Sequence, residues 1–261
     1  MSVRRRRWAC TSARPAAADM LLVVTFPPAS THGRARVRGS SHSGWMRLSR
    51  AFFGRPVDVV AHDLVGCIIE RGGVRLRIVE VEAYAGDDSA CHAFKGPTPR
   101  TAPLFGPPGH AYIYLCYGIH TMLNLVAGED GVAAGVLIRA AEVVGGSDIV
   151  TARRGRDVDA AICSGPGKVG AALALETRHS GTDICTGDYL SLHEGPPPRL
   201  VLSGPRVGID YADPADIARA WRFADADSIA VSHRRLLLNA AAPEPPMPKP
   251  KKPGVRSSAA R

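Results

Sequence analysis

The octet Arg77 to Tyr84, RIVEVEAY, constrains this 261-residue chain more than any other stretch. Its residues alternate: Val79, Val81 and Ala83 fall on one face, and Ile78, Glu80, Glu82 and Tyr84 on the other. A period of two predicts a half-buried strand. The second face carries two carboxylates and a tyrosine in a segment otherwise apolar enough for a core. A carboxylate held there must be solvated, paired or used. An edge strand whose glutamates simply reach water accounts for the octet taken alone.

The net charge of +9 suggests nucleic acid, but it sits at the ends of the chain. Residues 1–50 hold ten Arg and a single acid, Asp19, while residues 242–261 hold five Lys or Arg and only Glu244. The stretch between is mildly acidic, so a nucleic-acid surface there has to be local. Six cysteines without a C-x-x-C pair give neither zinc-ligand spacing nor a disulfide framework, which points to a reducing cytoplasm and no metal. The apolar run Met20 to Phe26 is too short to span a membrane and meets Pro27 and Pro28 at once.

Residues 1–45 lack periodicity and are rich in Arg, Ser, Ala and Pro, as expected of a disordered basic extension. Translation starting near Met46 would leave them out; a basic arm adding non-specific DNA affinity is the competing interpretation. A single domain is expected over 46–239, followed by a disordered Pro/Lys-rich tail over 240–261.

Within the domain, Pro56 to Gly66 predicts a short helix, and Gly72-Gly73 joins two strands in a hairpin. Ala85 to His110 is a long loop of the kind that carries function. Tyr112, Tyr114 and Cys116 share a strand face, Gly118 turns the chain, and Ile119 to Val126 returns. Gly135 to Glu142 predicts a strand with Arg139 inside an apolar run. A helix capped by Ser147 or Asp148 follows, then one opened by Ser164-Gly-Pro-Gly-Lys168. Strands near Tyr189 to His193 and Arg199 to Val207, a helix near Pro214 to Trp221 and a last strand near Ser228 to Val231 complete the expected order. The predicted fold is a single mixed α+β domain with a curved, mainly antiparallel sheet, surrounding helices and a protruding hairpin.

Taken together, RIVEVEAY (77–84), the loop His92, GPPGHAYIYLCYG (106–118) with Asn124, VLIRA (136–140), CSGPGK (163–168), GPRVGI (204–209) and WRF (221–223) resemble the alkyladenine (3-methyladenine) DNA glycosylases of mammals and many bacteria. These motifs stand in family order across about Met46 to Val231. Two departures stand out. The loop between Tyr84 and His92 is one residue shorter than in the mammalian enzymes, and His120 stands where those tend to carry an aromatic.

The resemblance implies a monofunctional DNA repair glycosylase that flips an alkylated or deaminated purine out of duplex DNA and hydrolyses its N-glycosidic bond, initiating base excision repair. Tyr117 matches the residue that wedges into the minor groove and fills the vacated stack. Tyr84, His92 and Tyr114 match the residues that sandwich the flipped base. Asn124 matches the residue that disfavours the exocyclic amine of guanine. Glu82 matches the general base that deprotonates a water, with Arg139 and the main-chain carbonyl of Val207 holding that water. Glu80, on the same face two residues earlier, has no implied role. No cofactor is implied, and the partner is damaged double-stranded DNA, bound by a monomer.

Lys168 follows a Gly-Pro-Gly turn but lacks the spacing of a phosphate loop, since Ile162 and Val169 stand where Gly and Ser or Thr are needed. A contact from Lys168 to a DNA phosphate and an ordinary helix start both remain open. Two other functions also fit the residues: a two-carboxylate glycosidase using Glu80 and Glu82, and a lesion-sensing protein that binds without releasing a base.

Overall fold

The computed structural model describes residues 45–234 and 237–239. The expected basic extension, Trp45 apart, and the tail from Ala240 lie outside the described residues. In chain order the elements are α1 (Arg50–Phe53), α2 (Val57–Leu64), β1 (Ile68–Arg71), β2 (Val74–Ala85), β3 (Ala111–Cys116), β4 (His120–Val126), β5 (Ala134–Gly145), α3 (Ser147–Arg154), α4 (Pro166–Ala172), β6 (Ser191–His193), β7 (Val201–Gly204), α5 (Pro214–Ile217), β8 (Arg222–Asp225) and β9 (Leu238–Asn239).

The strands run in the order β3-β4-β5-β2-β8-β7-β9, with β1 on β2 and β6 on β1, and each pairing is antiparallel. This is the curled antiparallel sheet with a few helices that the sequence predicts. β2 is the strand where the sheet branches. β5 pairs with it over Arg75 to Ala85, while its other edge meets β1 over Val74 to Arg77 and β8 over Glu80 to Glu82. The octet is therefore central rather than an edge strand, and both faces are buried: Glu80 and Glu82 are 0% exposed. Neither glutamate is a solvent residue.

The expected alternation breaks at Val79. Ile78 pairs with Ala141 and Glu80 with Ala140, so Val79 is an extra residue on β2. The next step reverses the imbalance: Val81 pairs with Ile138, so Arg139 is an extra residue on β5. Two β-bulges thus sit back to back, and bulges re-aim side chains where a sheet carries function. As a result Ile78 joins Leu76, Val81 and Ala83 in the main core, whereas Val79 packs with Ala140 and Ala224 in a separate small cluster.

The main core lies between one sheet face and helices α2, α3 and α4. Val57, Val60, Ala61 and Leu64 of α2, Val150 of α3, and Val169 and Ala172 of α4 meet the β2 residues above and Val136 and Ile138 of β5. The period of α2 follows from those four positions, one stripe of an amphipathic helix. α4 lies so close to β4 that a Cβ on Gly170 would come 2.0 Å from the Thr121 carbonyl oxygen, which explains a glycine in mid-helix. The opposite face of the sheet is left for the charged and aromatic residues.

Two local expectations are corrected. The N-cap of α3 is Gly146, with φ of 71°, and neither Ser147 nor Asp148 caps it through a side chain. No strand forms over 228–231; β8 lies earlier, over Arg222–Asp225, and β9 follows at Leu238–Asn239. Arg222 masks β8 in the sequence, because an arginine reads as a surface residue until its buried partner is known.

Candidate active site

One line of register crosses the sheet at its functional face. Tyr112 pairs with Asn124, Asn124 with Leu137, Leu137 with Glu82, and Glu82 with Arg222. Paired residues in neighbouring strands point to the same side. Residues from Glu82 to Arg222, 140 positions apart in sequence, thereby share one side of the sheet. A cavity of about 430 Å³ opens above it, within the usual range for small-molecule sites, and is lined by Glu82, Tyr84, His92, Tyr112, Tyr114, Tyr117, Asn124, Arg139 and Val207 among others. All the expected site residues except Lys168 are brought together there.

Glu82 is held by three donors. The Tyr84 hydroxyl donates to Oε2 at 2.9 Å, Nη1 of Arg139 donates to the same oxygen at 3.1 Å, and the Val207 N–H donates to Oε1 at 2.7 Å. The contact from Val207 is thus through its N–H, beside the carbonyl that the resemblance implied. Arg139 is buried, which opposes its charge, but Glu82 and Glu80 outweigh burial and raise its pKa further, so it stays cationic. Burial and then the Glu82 charge push the Tyr84 hydroxyl well above its ordinary value, so it remains a donor.

The aromatic walls come from β2, β3 and the long loop. Tyr112 and Tyr114 stack with centroids 5.4 Å apart, and His92 meets Tyr114 edge-on at 4.6 Å. His92 Nδ1 lies 3.2 Å from the Tyr112 hydroxyl. Burial, with Arg100 adding like-charge repulsion, lowers the His92 pKa, so the ring is neutral near pH 7. Asn124 on the floor is buried, and its Nδ2 donates to the Tyr112 carbonyl at 3.5 Å.

The cavity wall continues to the tip of the β3–β4 hairpin, a loop of Tyr117, Gly118 and Ile119 between Cys116 and His120. Tyr117 is 90% exposed and Ile119 73%. Tyr117 also has φ of 49°, a left-handed conformation uncommon outside glycine and concentrated at functional positions. Lys168 lies outside the cavity lining, and its Nζ donates to the Ala161 carbonyl at 3.0 Å. His120 lies outside it too, against α4, where a Cβ on Gly167 would come 2.9 Å from its ring.

Several residues of the site were not singled out in the sequence. Arg206 is buried in an ion pair with Asp88, donates through Nη1 to the Ala83 carbonyl at 2.9 Å, and places its guanidinium 4.7 Å over the Tyr84 ring. It does not line the cavity, so it backs the wall that Tyr84 forms. Arg100 lies 5.3 Å over the Tyr114 ring, and Arg222 pairs with Glu80. GPRVGI contains Arg206, but only the fold shows what it faces. Glu80 is not part of the lining and its carboxylate is bound by Arg139, Arg222 and Ser232 away from the cavity, which removes the two-carboxylate glycosidase. Among the described residues, no group of three or more His, Cys, Asp or Glu is placed to hold a metal ion. No described helix is long and apolar enough to cross a membrane.

A buried carboxylate with an arginine partner, at the wall of an aromatic slot, is able to activate a water beside a bound flat ring. Residues 51–229 match the model of the methylpurine-DNA glycosylase family. A DNA-3-methyladenine glycosylase of Arabidopsis thaliana is 47% identical over 197 residues, covering 75% of this chain and 78% of that protein. Putative 3-methyladenine DNA glycosylases of Methanocella arvoryzae and Nitrosococcus oceani are 45% and 47% identical, covering 72% and 73% of this chain and 96% and 95% of their own lengths. The chain belongs to the methylpurine-DNA glycosylase family.

Proposed function

We propose that this protein is a monofunctional DNA repair glycosylase that removes alkylated or deaminated purines from duplex DNA. The observation that carries this is Glu82: a carboxylate with no solvent exposure, held by Tyr84, Arg139 and the Val207 N–H at the wall of a cavity lined by aromatic rings. A buried carboxylate that is paired with an arginine and also lines a cavity is placed to take part in chemistry there.

In this mechanism Tyr117 fills the gap in the duplex, and the extruded purine enters between Tyr84 on one side and His92 and Tyr114 on the other. Asn124 excludes the exocyclic amine of guanine. Glu82 takes a proton from water held with Arg139 and the Val207 carbonyl. The water oxygen then bonds to the anomeric carbon as the glycosidic bond breaks and its electrons leave with the base. The product is an abasic site in an uncut strand. In this reading the protein acts as a monomer. Lys168 holds a backbone phosphate near the start of α4; its replacement by Ala weakens duplex binding and flattens the dependence on salt.

The test is base release from duplexes carrying one hypoxanthine or one methylated purine. Wild type releases the base, and Glu82→Gln binds the duplex but loses release by about 10²- to 10⁴-fold, the usual contribution of a general base. Equal release by both removes Glu82 from the reaction. Binding by wild type without release of any lesion makes the protein a lesion sensor.

A further inference from the structure

Glu80 does not reach the cavity, yet its carboxylate is bound to the same arginine as Glu82. Arg139 donates through Nε to Glu80 Oε1 at 3.0 Å and through Nη1 to Glu82 Oε2 at 3.1 Å. One planar guanidinium thus bridges two carboxylates, and its orientation is set by both. Glu80 is itself immobilised from two further directions. Nε of Arg222 on β8 donates to Oε1 at 2.8 Å, the Ser232 N–H donates to Oε2 at 2.8 Å, and the Ser232 hydroxyl donates to Oε1 at 3.0 Å. Glu80 and Arg222 are both 0% exposed.

The two carboxylates differ in where they lie. Glu80 accepts four hydrogen bonds, three on Oε1 and one on Oε2, and does not line the cavity. Glu82 accepts three, one of them on Oε1, and lines the cavity. The bulges make this asymmetry. Arg139 is the extra residue of β5 and Val79 the extra residue of β2, so the arginine is turned back across the strand to meet both glutamates. Ser232 closes the arrangement from beyond residue 229, where the family match ends.

We propose that Glu80, clamped by Arg222 and Ser232, is a positioning residue of the glycosylase reaction: it fixes the Arg139 guanidinium so that Nη1 faces Glu82 at the cavity wall. The inference rests on Glu82 acting as the base. Two like charges on one strand face would otherwise repel, and the pair of arginines brings the four buried charges to a net of zero. Loss of the Glu80 charge leaves Arg139 anchored on one side only, and displacements on the scale of an ångström at a reacting centre cost about a hundredfold in rate.

The experiment measures single-turnover base release and duplex affinity for Glu80→Gln, Arg139→Gln and the double variant, each normalised to the fraction able to bind a lesion duplex. Glu80→Gln is expected to lose about a hundredfold in release rate while its affinity stays within about twofold of wild type. In the Arg139→Gln background the same change costs no further rate, since Glu80 acts through Arg139. A wild-type rate for Glu80→Gln, or undiminished additive losses in the double variant, overturns the proposal. If Glu80→Gln does not fold, Ser232→Ala, which removes one donor at the far end of the clamp, is expected to slow release at least about threefold at unchanged affinity, and an unchanged rate overturns it equally. Should Glu82→Gln release bases at the wild-type rate, the failure lies instead with the assignment of the base.

Discussion

The hydroxyl of Tyr84 donates to Oε2 of Glu82 at 2.9 Å, so a wall of the cavity and its buried carboxylate are one hydrogen-bonded unit. Tyr84→Phe keeps the ring and deletes the donor. Its release rate is expected to fall about tenfold, the scale of a lost hydrogen bond to a charged group, with lesion affinity within about twofold. Because burial and Glu82 raise the Tyr84 pKa well above 10.0, the wild-type hydroxyl keeps its proton through the neutral and mildly alkaline range. Rate–pH profiles of wild type and Tyr84→Phe should therefore keep the same shape up to that value. An alkaline limb present only in wild type below pH 10.0 contradicts this.

Tyr117 has nothing to lose in the folded protein: it is 90% exposed and already in a left-handed conformation. Tyr117→Ala should leave the melting temperature within about 2 °C of wild type, as surface substitutions do. Duplex affinity should nevertheless fall about tenfold or more, because one stacked aromatic contributes about 1–3 kcal/mol. Thermal unfolding and fluorescence anisotropy with a lesion duplex measure the two effects separately.

Asn124 is buried on the cavity floor between Tyr112 and Leu137 in register. Asn124→Ala enlarges the floor and removes the amide that the proposed mechanism sets against the purine edge. The preference for hypoxanthine, which lacks that exocyclic amine, over undamaged guanine is expected to fall about tenfold or more, within the range that a single pocket contact supplies. Release of free guanine from undamaged duplex DNA is the readout, and a ratio equal to wild type would exclude Asn124 as the filter.

His92 gives a pH dependence with a definite sign. Its folded pKa is lowered by burial and by Arg100, below the ordinary 6.5 that applies to the unfolded chain. Above 6.5 both states are neutral at this ring and it contributes no pH dependence. As pH falls below 6.5 the unfolded state takes the proton first, so stability is lost progressively until the folded pKa is passed. His92→Gln removes this component, and its melting temperature should decline less than wild type between pH 7 and pH 5. Equal slopes would show that the ring titrates freely.

Legibility in the sequence followed the range of the interactions. Glu82 and Tyr84 stand two positions apart on one strand, so their shared face is readable from the alternation itself. The hairpin tip is equally local, announced by Tyr117-Gly118 between the tyrosine-bearing run 111–116 and the apolar returning run 119–126. Arg206 and Arg222 were opaque because the groups that justify burying them, Asp88 and Glu80, lie 118 and 142 residues away. The alternation failed at Ile78 and Val79, because a bulge is defined by how two strands pair, and a single strand does not contain that information.

The sequence by itself determined a curved antiparallel α+β domain, its hairpin, its family motifs and several of the residues that line one cavity, since each depends on local periodicity, turn chemistry or ordered motifs. Only the tertiary structure decided that β2 is central, that paired bulges turn Arg139 onto both glutamates, and that Glu80 is clamped away from the cavity while Glu82 faces it. The physical reason is burial. A charge in a dry interior takes its role from the partners that surround it, and those partners come from β5, β8 and the segments that follow β7 and β8 only once the sheet has closed around them.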